Sequence, residues 1–228
     1  MDYFNYFSND WFGYFEIKIK VISLNIFLNK KILIYGLGKT GLSALEFLKN
    51  KAEIFIHDDH SSKFKNLGIK NMISYKHLLK LNFDQIILSP GIDINKCKLS
   101  KFLKKNHSKI FSDLDVFYSF YKNDCITVTG TNGKSTTCQL LYEVLLNQKR
   151  DVRLVGNIGN PILSLKNFKK KTIFIVEASS YQLEYSQLFK SKYAVILNLS
   201  PDHIERHKTL NKYINAKFKL LKNQLKGN

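Results

Sequence analysis

From residue 31 onward, short apolar runs alternate with stretches whose apolar residues recur at helical spacing. KKILIY (30–35) is an apolar run that ends in glycines, TGLSALEFLKN (40–50) has helical spacing, and AEIFIHDD (52–59) is a second run of strand type. Together they predict a βαβ unit. FDQIILSPG (83–91) repeats the strand-then-turn pattern, and SDLDVFYSFYKN (112–123) predicts a helix with Ser112 as N-cap and acids in its first turn. A polar break at 122–124 precedes a fresh series. CITVTG (125–130) predicts a strand and STTCQLLYEVLLNQ (135–148) a helix. RDVRLVGNIG, KTIFIVEASS and KYAVILNLSPDH follow as strands, each ending in turn or polar residues, before a closing helix, LNKYINAKFKLLKNQL. Strands alternating with helices predict an α/β fold with parallel sheets, in which ligands sit beyond the carboxyl ends of the strands.

The chain has 228 residues, room for two modest domains. The break divides it into a Rossmann-like domain over 31–122 and a second α/β domain over 123–228. Residues 1–30 stay unassigned. Eight of the chain's 30 aromatic residues fall in 1–15, but positive charge does not open the segment and small residues do not close it, so a signal peptide is not expected. An amphipathic membrane-surface strip and a plain extension outside the fold remain open. With no run of 18 uncharged apolar residues, no transmembrane helix is expected.

Charge and cysteine content change the picture little. The formal charge is +18, yet arginine occurs only at 150, 153 and 206, and the lysines are scattered. Arginine is the usual side chain for reading bases and for bidentate phosphate contacts, so a nucleic-acid partner is not expected. Cys97, Cys125 and Cys138 are odd in number and form no CxxC pair, which points to a reducing compartment, the cytoplasm by default.

Two glycine turns carry the candidate chemistry. Gly36-Leu37-Gly38-Lys39-Thr40-Gly41 follows a strand and opens a helix, as a phosphate-approaching turn does, and Asp58 closes the next strand where a dinucleotide fold places its ribose-binding acid. That turn alone leaves an NAD(H)-binding regulatory module open. The second turn, Thr129 through Thr136, holds Gly-Lys-Ser between a strand and a helix. Its backbone amides and Lys134 suit a triphosphate, and the Ser135 hydroxyl suits Mg²⁺. The spacing departs from GxxxxGK[ST], because Val128 stands where that pattern has glycine. Glu177 ends an apolar run, where a lone buried carboxylate is expensive unless it is paired or binds a metal. Asp202 and His203 follow a later strand in the same way. On the residues alone, His207 reads as solvated surface and Lys217 as part of a solvated helix face.

GLGKTGLSAL (36–45), LSPGI (88–92), TVTGTNGKSTT (127–137), GNIGNP (156–161), VEASSYQLE (176–184), ILNLSPDHIERH (196–207) and YINAKFKL (213–220) together resemble the Mur ligase family, collinearly from about residue 31 to the end. Folylpolyglutamate synthases share a related GTNGKGS-type loop, but the GLGKTG domain and SSYQLE favour the branch that adds D-glutamate. The resemblance implies a partial central ATPase domain over 123–228, with Gly130, Thr131, Asn132, Gly133, Lys134, Ser135 and Thr136 on the phosphates of ATP. It implies Mg²⁺ near Ser135, Glu177, His203 and a carbamylated Lys217, with Lys134, His203 and Lys217 as catalytic residues. It places Thr40, Asp58, Ser89, Asn157 and Gln182 along a UDP-N-acetylmuramoyl-L-alanine site, with D-glutamate as second substrate. It also implies a third, C-terminal domain that supplies adenine and D-glutamate contacts, so residues 1–228 by themselves are expected not to form the amide. Nothing in the sequence speaks to oligomeric state beyond a monomer as default.

Overall fold

The computed structural model describes residues 25–60, 68–69 and 71–224. The aromatic-rich segment 1–24 lies outside the described residues. Residues 25–30 do not stand apart from the fold: Phe27 is fully buried, edge-on to Phe111 at 5.3 Å, and the Asn25 amide donates to the Ser119 carbonyl at 2.9 Å.

The first half forms a four-stranded sheet from β1 (Lys31–Tyr35), β2 (Glu53–His57), β3 (Gln85–Leu88) and β4 (Ile110–Phe111), in the order β2-β1-β3-β4 with every pairing parallel. Helix α1 (Lys39–Leu48) makes the first crossover; α2 (Tyr75–Leu78) and α3 (Ser100–Lys105) lie in the later connections. Strand β1 is central, so both its faces are covered. Ile32 and Ile34 face one apolar cluster, and the alternate residues Leu33 and Tyr35 face another. Helix α4 (Asp113–Phe120) follows, opened by a capping box between Ser112 and Asp115.

The second half forms another parallel sheet, ordered β6-β7-β5-β8, from β5 (Cys125–Thr129), β6 (Val152–Gly156), β7 (Ile173–Glu177) and β8 (Tyr193–Ile196). Its helices are α5 (Lys134–Asn147), α6 (Ser180–Tyr185), α7 (Ile204–His207) and α8 (Leu210–Lys222). In each sheet the connections run first to one side of the opening strand (β1 or β5) and then to the other, which leaves a crevice at its carboxyl end. Both glycine turns sit in such crevices.

The two sheets share one core. Ile32 and Ile34 of β1 belong to the same buried cluster as Phe174 and Val176 of β7, and α4 is the joint, with Phe117 against Phe174 at 4.9 Å. The polar anchor of this joint is Asp115, which is 0% exposed. One carboxylate oxygen accepts from the Ser186 hydroxyl and from the backbone N–H groups of Gln187, Leu188 and Phe189, at 2.7–3.0 Å. The other accepts from the N–H and hydroxyl of Ser112 at 2.9 and 3.1 Å. Six donors hold one charge, and they come from both halves.

Among the described residues no helix is long and apolar enough to cross a membrane. The Cys125 and Cys138 thiols are buried, and burial pushes both up to about 12, so neither is a reactive thiolate.

Asp115→Asn keeps the shape but turns an NH₂ toward donors and removes the charge they converge on. The expected loss is about 3 kcal/mol of unfolding free energy, read from urea midpoints. A variant within about 1 kcal/mol of the parent, on the scale of one ordinary hydrogen bond, would show that the joint rests on its aromatic contacts instead.

Candidate functional site

The five residues Thr40, Asp58, Ser89, Asn157 and Gln182 line one cleft of about 440 Å³ between the two halves. The glycine turn after β1 forms one wall. Gly36 has φ +93°, and a Cβ on Gly41 would lie 1.9 Å from the Gly36 carbonyl oxygen, so the turn can close only on bare backbone. The Ser89 hydroxyl donates to that same carbonyl at 2.7 Å and fixes the turn from β3. Asp58 accepts from the Leu37 N–H at 2.8 Å and from the His60 N–H at 2.7 Å. One of its oxygens is therefore bound to the loop. Helix α1 begins at Gly38 with no side-chain cap, which leaves N-terminal N–H groups and the positive end of the helix dipole at the cleft.

Gln182 lies on α6 at the opposite wall. Its side-chain oxygen accepts from the Ser179 N–H and hydroxyl, and its NH₂ donates to both oxygens of Asp113 at 3.2 and 3.3 Å. Asp113 is buried. Burial raises its carboxyl to about 6, with the Gln182 hydrogen bond working in the opposite direction.

The second turn joins β5 to α5. Gly133 has φ +81° and opens α5 with no side-chain cap, again leaving free N–H groups for an anion. Asn198, which sequence reasoning passed over, braces this loop. Its carbonyl accepts from the Thr131 N–H, its side-chain oxygen from the Asn132 N–H, and its amide donates to the Asn132 carbonyl. The Thr131 hydroxyl also meets Tyr213 Oη at 2.9 Å and the backbone of Ser200. Lys134 is folded back, with Nζ donating to the Thr131 carbonyl at 2.7 Å.

Glu177 joins this second turn to the turn that follows β6. It is 1% exposed; one oxygen accepts from the Ser135 hydroxyl and the other from the Asn157 amide, each at 2.8 Å. Asn157 reaches it because Gly156 has φ +110° and passes so close that a Cβ would lie 2.3 Å from the Glu177 carbonyl oxygen. Both donors are neutral, and among the described residues no Lys, Arg or His pairs with this carboxylate. A buried carboxylate held only by a hydroxyl and an amide fits a divalent cation that prefers hard oxygen ligands.

The two residues that read as solvated are both buried. Lys217 is 2% exposed; its Nζ donates to the Gly130 carbonyl at 2.8 Å and to the Thr129 hydroxyl at 3.4 Å. Burial, reinforced by the Lys134 charge, lowers its ammonium to about 8. His207 is also 2% exposed, stacked on Tyr181 and bonded to the Ser180 hydroxyl, and burial lowers its imidazole to about 4. Both lie on faces packed against α6 or the glycine loop after β5, where solvent is displaced.

His203 is half exposed, has φ +54°, and faces Asp202 at 3.4 Å and Glu205 at 3.9 Å. No hydrogen bond or ion pair joins it to Ser135, Glu177 or Lys217, and among the described residues no three His, Cys, Asp or Glu side chains form a metal cage. Ser135 and Glu177 are the pair in contact.

The charge on Asp113 sets a pH test. Its folded carboxyl is raised, so the stabilising preference for the protonated form is complete below about pH 4 and is lost as pH rises through about 6. Relative to Asp113→Asn, the parent is expected to lose about 3 kcal/mol of stability across that window. Urea midpoints at several pH values would test this; a difference between the two that does not change with pH would refute it.

Two sequence patterns match this chain in order: the Mur ligase MurD-like, N-terminal domain over residues 30–110, and the Mur ligase middle domain over residues 128–228. A UDP-N-acetylmuramoylalanine--D-glutamate ligase of Rickettsia bellii is 39% identical over 202 residues, covering 86% of this chain and 44% of that protein. One of the same description from Lachnoclostridium phytofermentans is 36% identical over 212 residues, covering 88% and 46%. The chain thus spans less than half the length of these relatives. A solved UDP-N-acetylmuramate:L-alanyl-gamma-D-glutamyl-meso-diaminopimelate ligase from Neisseria meningitides shares the fold at a TM-score of 0.53 and 19% identity, over 86% of this chain and 68% of that one. With both patterns in order over two parallel sheets, each with a glycine turn after its opening strand, the chain belongs to the Mur ligase family.

Proposed function

We propose that this chain forms the nucleotide-sugar-binding and ATP-binding parts of an ATP-dependent ligase of peptidoglycan synthesis, which adds D-glutamate to UDP-N-acetylmuramoyl-L-alanine in the cytoplasm. The observation that carries the reading is the Asn157–Glu177–Ser135 chain of hydrogen bonds. It ties the cleft between the halves to the phosphate loop, so that a substrate in one and a nucleotide in the other would meet at a single carboxylate. We assign one domain to 31–122, which brings Thr40, Asp58 and Ser89 to the cleft, and a second to 123–228, which brings Asn157, Gln182 and the phosphate loop.

In this reading Thr40, Asp58, Ser89, Asn157 and Gln182 bind and orient the UDP substrate. Gly130 through Thr136 hold the phosphates of ATP, with Lys134 turning from the Thr131 carbonyl to the transferred group. Ser135 and Glu177 would hold Mg²⁺, which would offset negative charge on the phosphates. Bound ATP and Mg²⁺ supply the phosphoryl group that activates the substrate carboxylate and the charge that offsets it. The residues supply fixed donors and cations where negative charge accumulates. His203 is exposed at the mouth of this region and free to take a ligand.

Lys217 is proposed to carry CO₂. Near pH 8 about half of it is neutral amine on its lowered value, and the lone pair can attack CO₂, releasing one proton and leaving a carbamate. The change replaces a cation beside the phosphate loop with an oxygen anion of the type Mg²⁺ prefers. An NAD(H)-binding module is less well supported, because it leaves the second glycine loop and its hydrogen-bonded link to the cleft through Glu177 without a role.

Thermal unfolding of the chain should respond to UDP and to Mg-ATP but not to NADH, with about 2.7 kcal/mol of stabilisation at a hundredfold excess over Kd. Stabilisation by NADH alone would overturn the reading. In ¹³C-bicarbonate the chain should show a carbamate carbon signal that disappears in Lys217→Ala; a spectrum unchanged by that substitution would remove the assignment at Lys217.

A further inference from the structure

Arg206 lies on α7, in the ATP-binding half, yet its strongest contact is in the other half. Nη1 donates to the Pro90 carbonyl at 2.7 Å across 116 positions of sequence. The residue is 9% exposed, and its guanidinium lies 4.1 Å from the centre of the Tyr181 ring. Pro90 belongs to the turn after β3 that lines the cleft, next to Ser89, whose hydroxyl fixes the glycine turn. Proline has no N–H, so its carbonyl is the backbone handle at that point. Tyr181 and the cleft residue Gln182 are neighbours on α6. One side chain therefore touches the loop that forms one wall of the cleft and the helix that forms the other.

The contact is incompletely made. Nη2 of Arg206 and Oε2 of Glu184 are both buried without a hydrogen-bond partner, and they stand 3.9 Å apart. Burial also pushes the Glu184 carboxyl up. About 1 Å of movement would bring the two to charge-assisted hydrogen-bond distance, and such a bond is worth more than one between neutral groups. The strap that carries Arg206 starts at the phosphate loop, where Ser200 is bonded to Thr131, and ends at Pro90.

We infer that Arg206 is a positioning residue for the cleft: it holds the Pro90 turn and α6 at the spacing the nucleotide-sugar ligand needs. It touches neither the glycine turn nor the phosphate loop. This rests on the reading of the cleft as a UDP site. Loss of the guanidinium leaves the ligand-contacting residues in place but lowers the fraction of molecules with both walls set, and apparent affinity falls by that fraction.

The test is calorimetric titration of the 228-residue chain with UDP and, separately, with Mg-ADP. Arg206→Ala is expected to weaken UDP by about tenfold, the effect of losing one charge-assisted hydrogen bond, and to leave Mg-ADP within about twofold. Arg206→Lys serves where the Ala variant fails to fold. Its ammonium cannot reach Pro90 while lying flat on Tyr181, so UDP should still weaken at least about threefold. Parental UDP affinity in a folded variant overturns the inference, and so does an equal loss for UDP and Mg-ADP, which would make Arg206 a general structural contact. Absence of UDP binding by the parent chain would instead overturn the reading of the cleft and, with it, the role given to Arg206.

Discussion

The carboxylate of Asp115 is the constraint on which the arrangement of the two halves depends. Six donors from α4's own cap and from residues 186–189 converge on it, so α4 and the segment after α6 are held to each other at hydrogen-bond precision. Aromatic contacts such as Phe117 on Phe174 fill the joint, but apolar packing is non-directional and would allow the sheets to slide. The hydrogen bonds specify one alignment. Because α6 also carries Gln182, whose partner Asp113 lies two residues from Asp115, the same joint sets the width of the cleft.

Buried charge in this chain is managed in two ways. Asp115 is saturated with donors and has no remaining capacity, as a structural carboxylate should be. Glu177 has only two neutral donors, Ser135 on the loop after β5 and Asn157 on the turn after β6. Lys217 is similar in sign-reversed form, since burial and the Lys134 charge lower its ammonium toward 8 beside a carbonyl that satisfies one proton. Unsaturated buried charges are costly to fold and are found where a ligand completes them.

Much of the fold was legible because parallel α/β sheets advertise themselves. Runs such as KILIY and IFIVE are apolar on both faces, the first bounded by a glycine turn and the second by the serine cap of α6. What was hidden has identifiable reasons. The burial of Lys217 was in fact encoded: Tyr213, Ala216, Lys217 and Leu220 stand at i, i+3, i+4 and i+7 and form the buried stripe of α8. A lysine in that stripe is a better signal than its identity among 33 lysines. By contrast, Asp115 reads locally as an ordinary first-turn acid, and only the distant loop 186–189 makes it more. Asn198 and Arg206 were hidden for the same reason, since their partners lie 66 and 116 positions away.

Glycine is where these strands of argument meet. Gly41 brings α1 against the turn after β1, and Gly156 brings β6 against Glu177, each within a distance no side chain would permit. The first leaves the end of α1 facing the cleft; the second delivers the Asn157 amide to the carboxylate that also holds Ser135. Both approaches are backbone to backbone, so they cannot be recovered by a neighbouring side chain shifting rotamer. The geometry within each half is thereby set by backbone approach rather than by side-chain packing, and the Asp115 carboxylate sets how the two halves stand to each other.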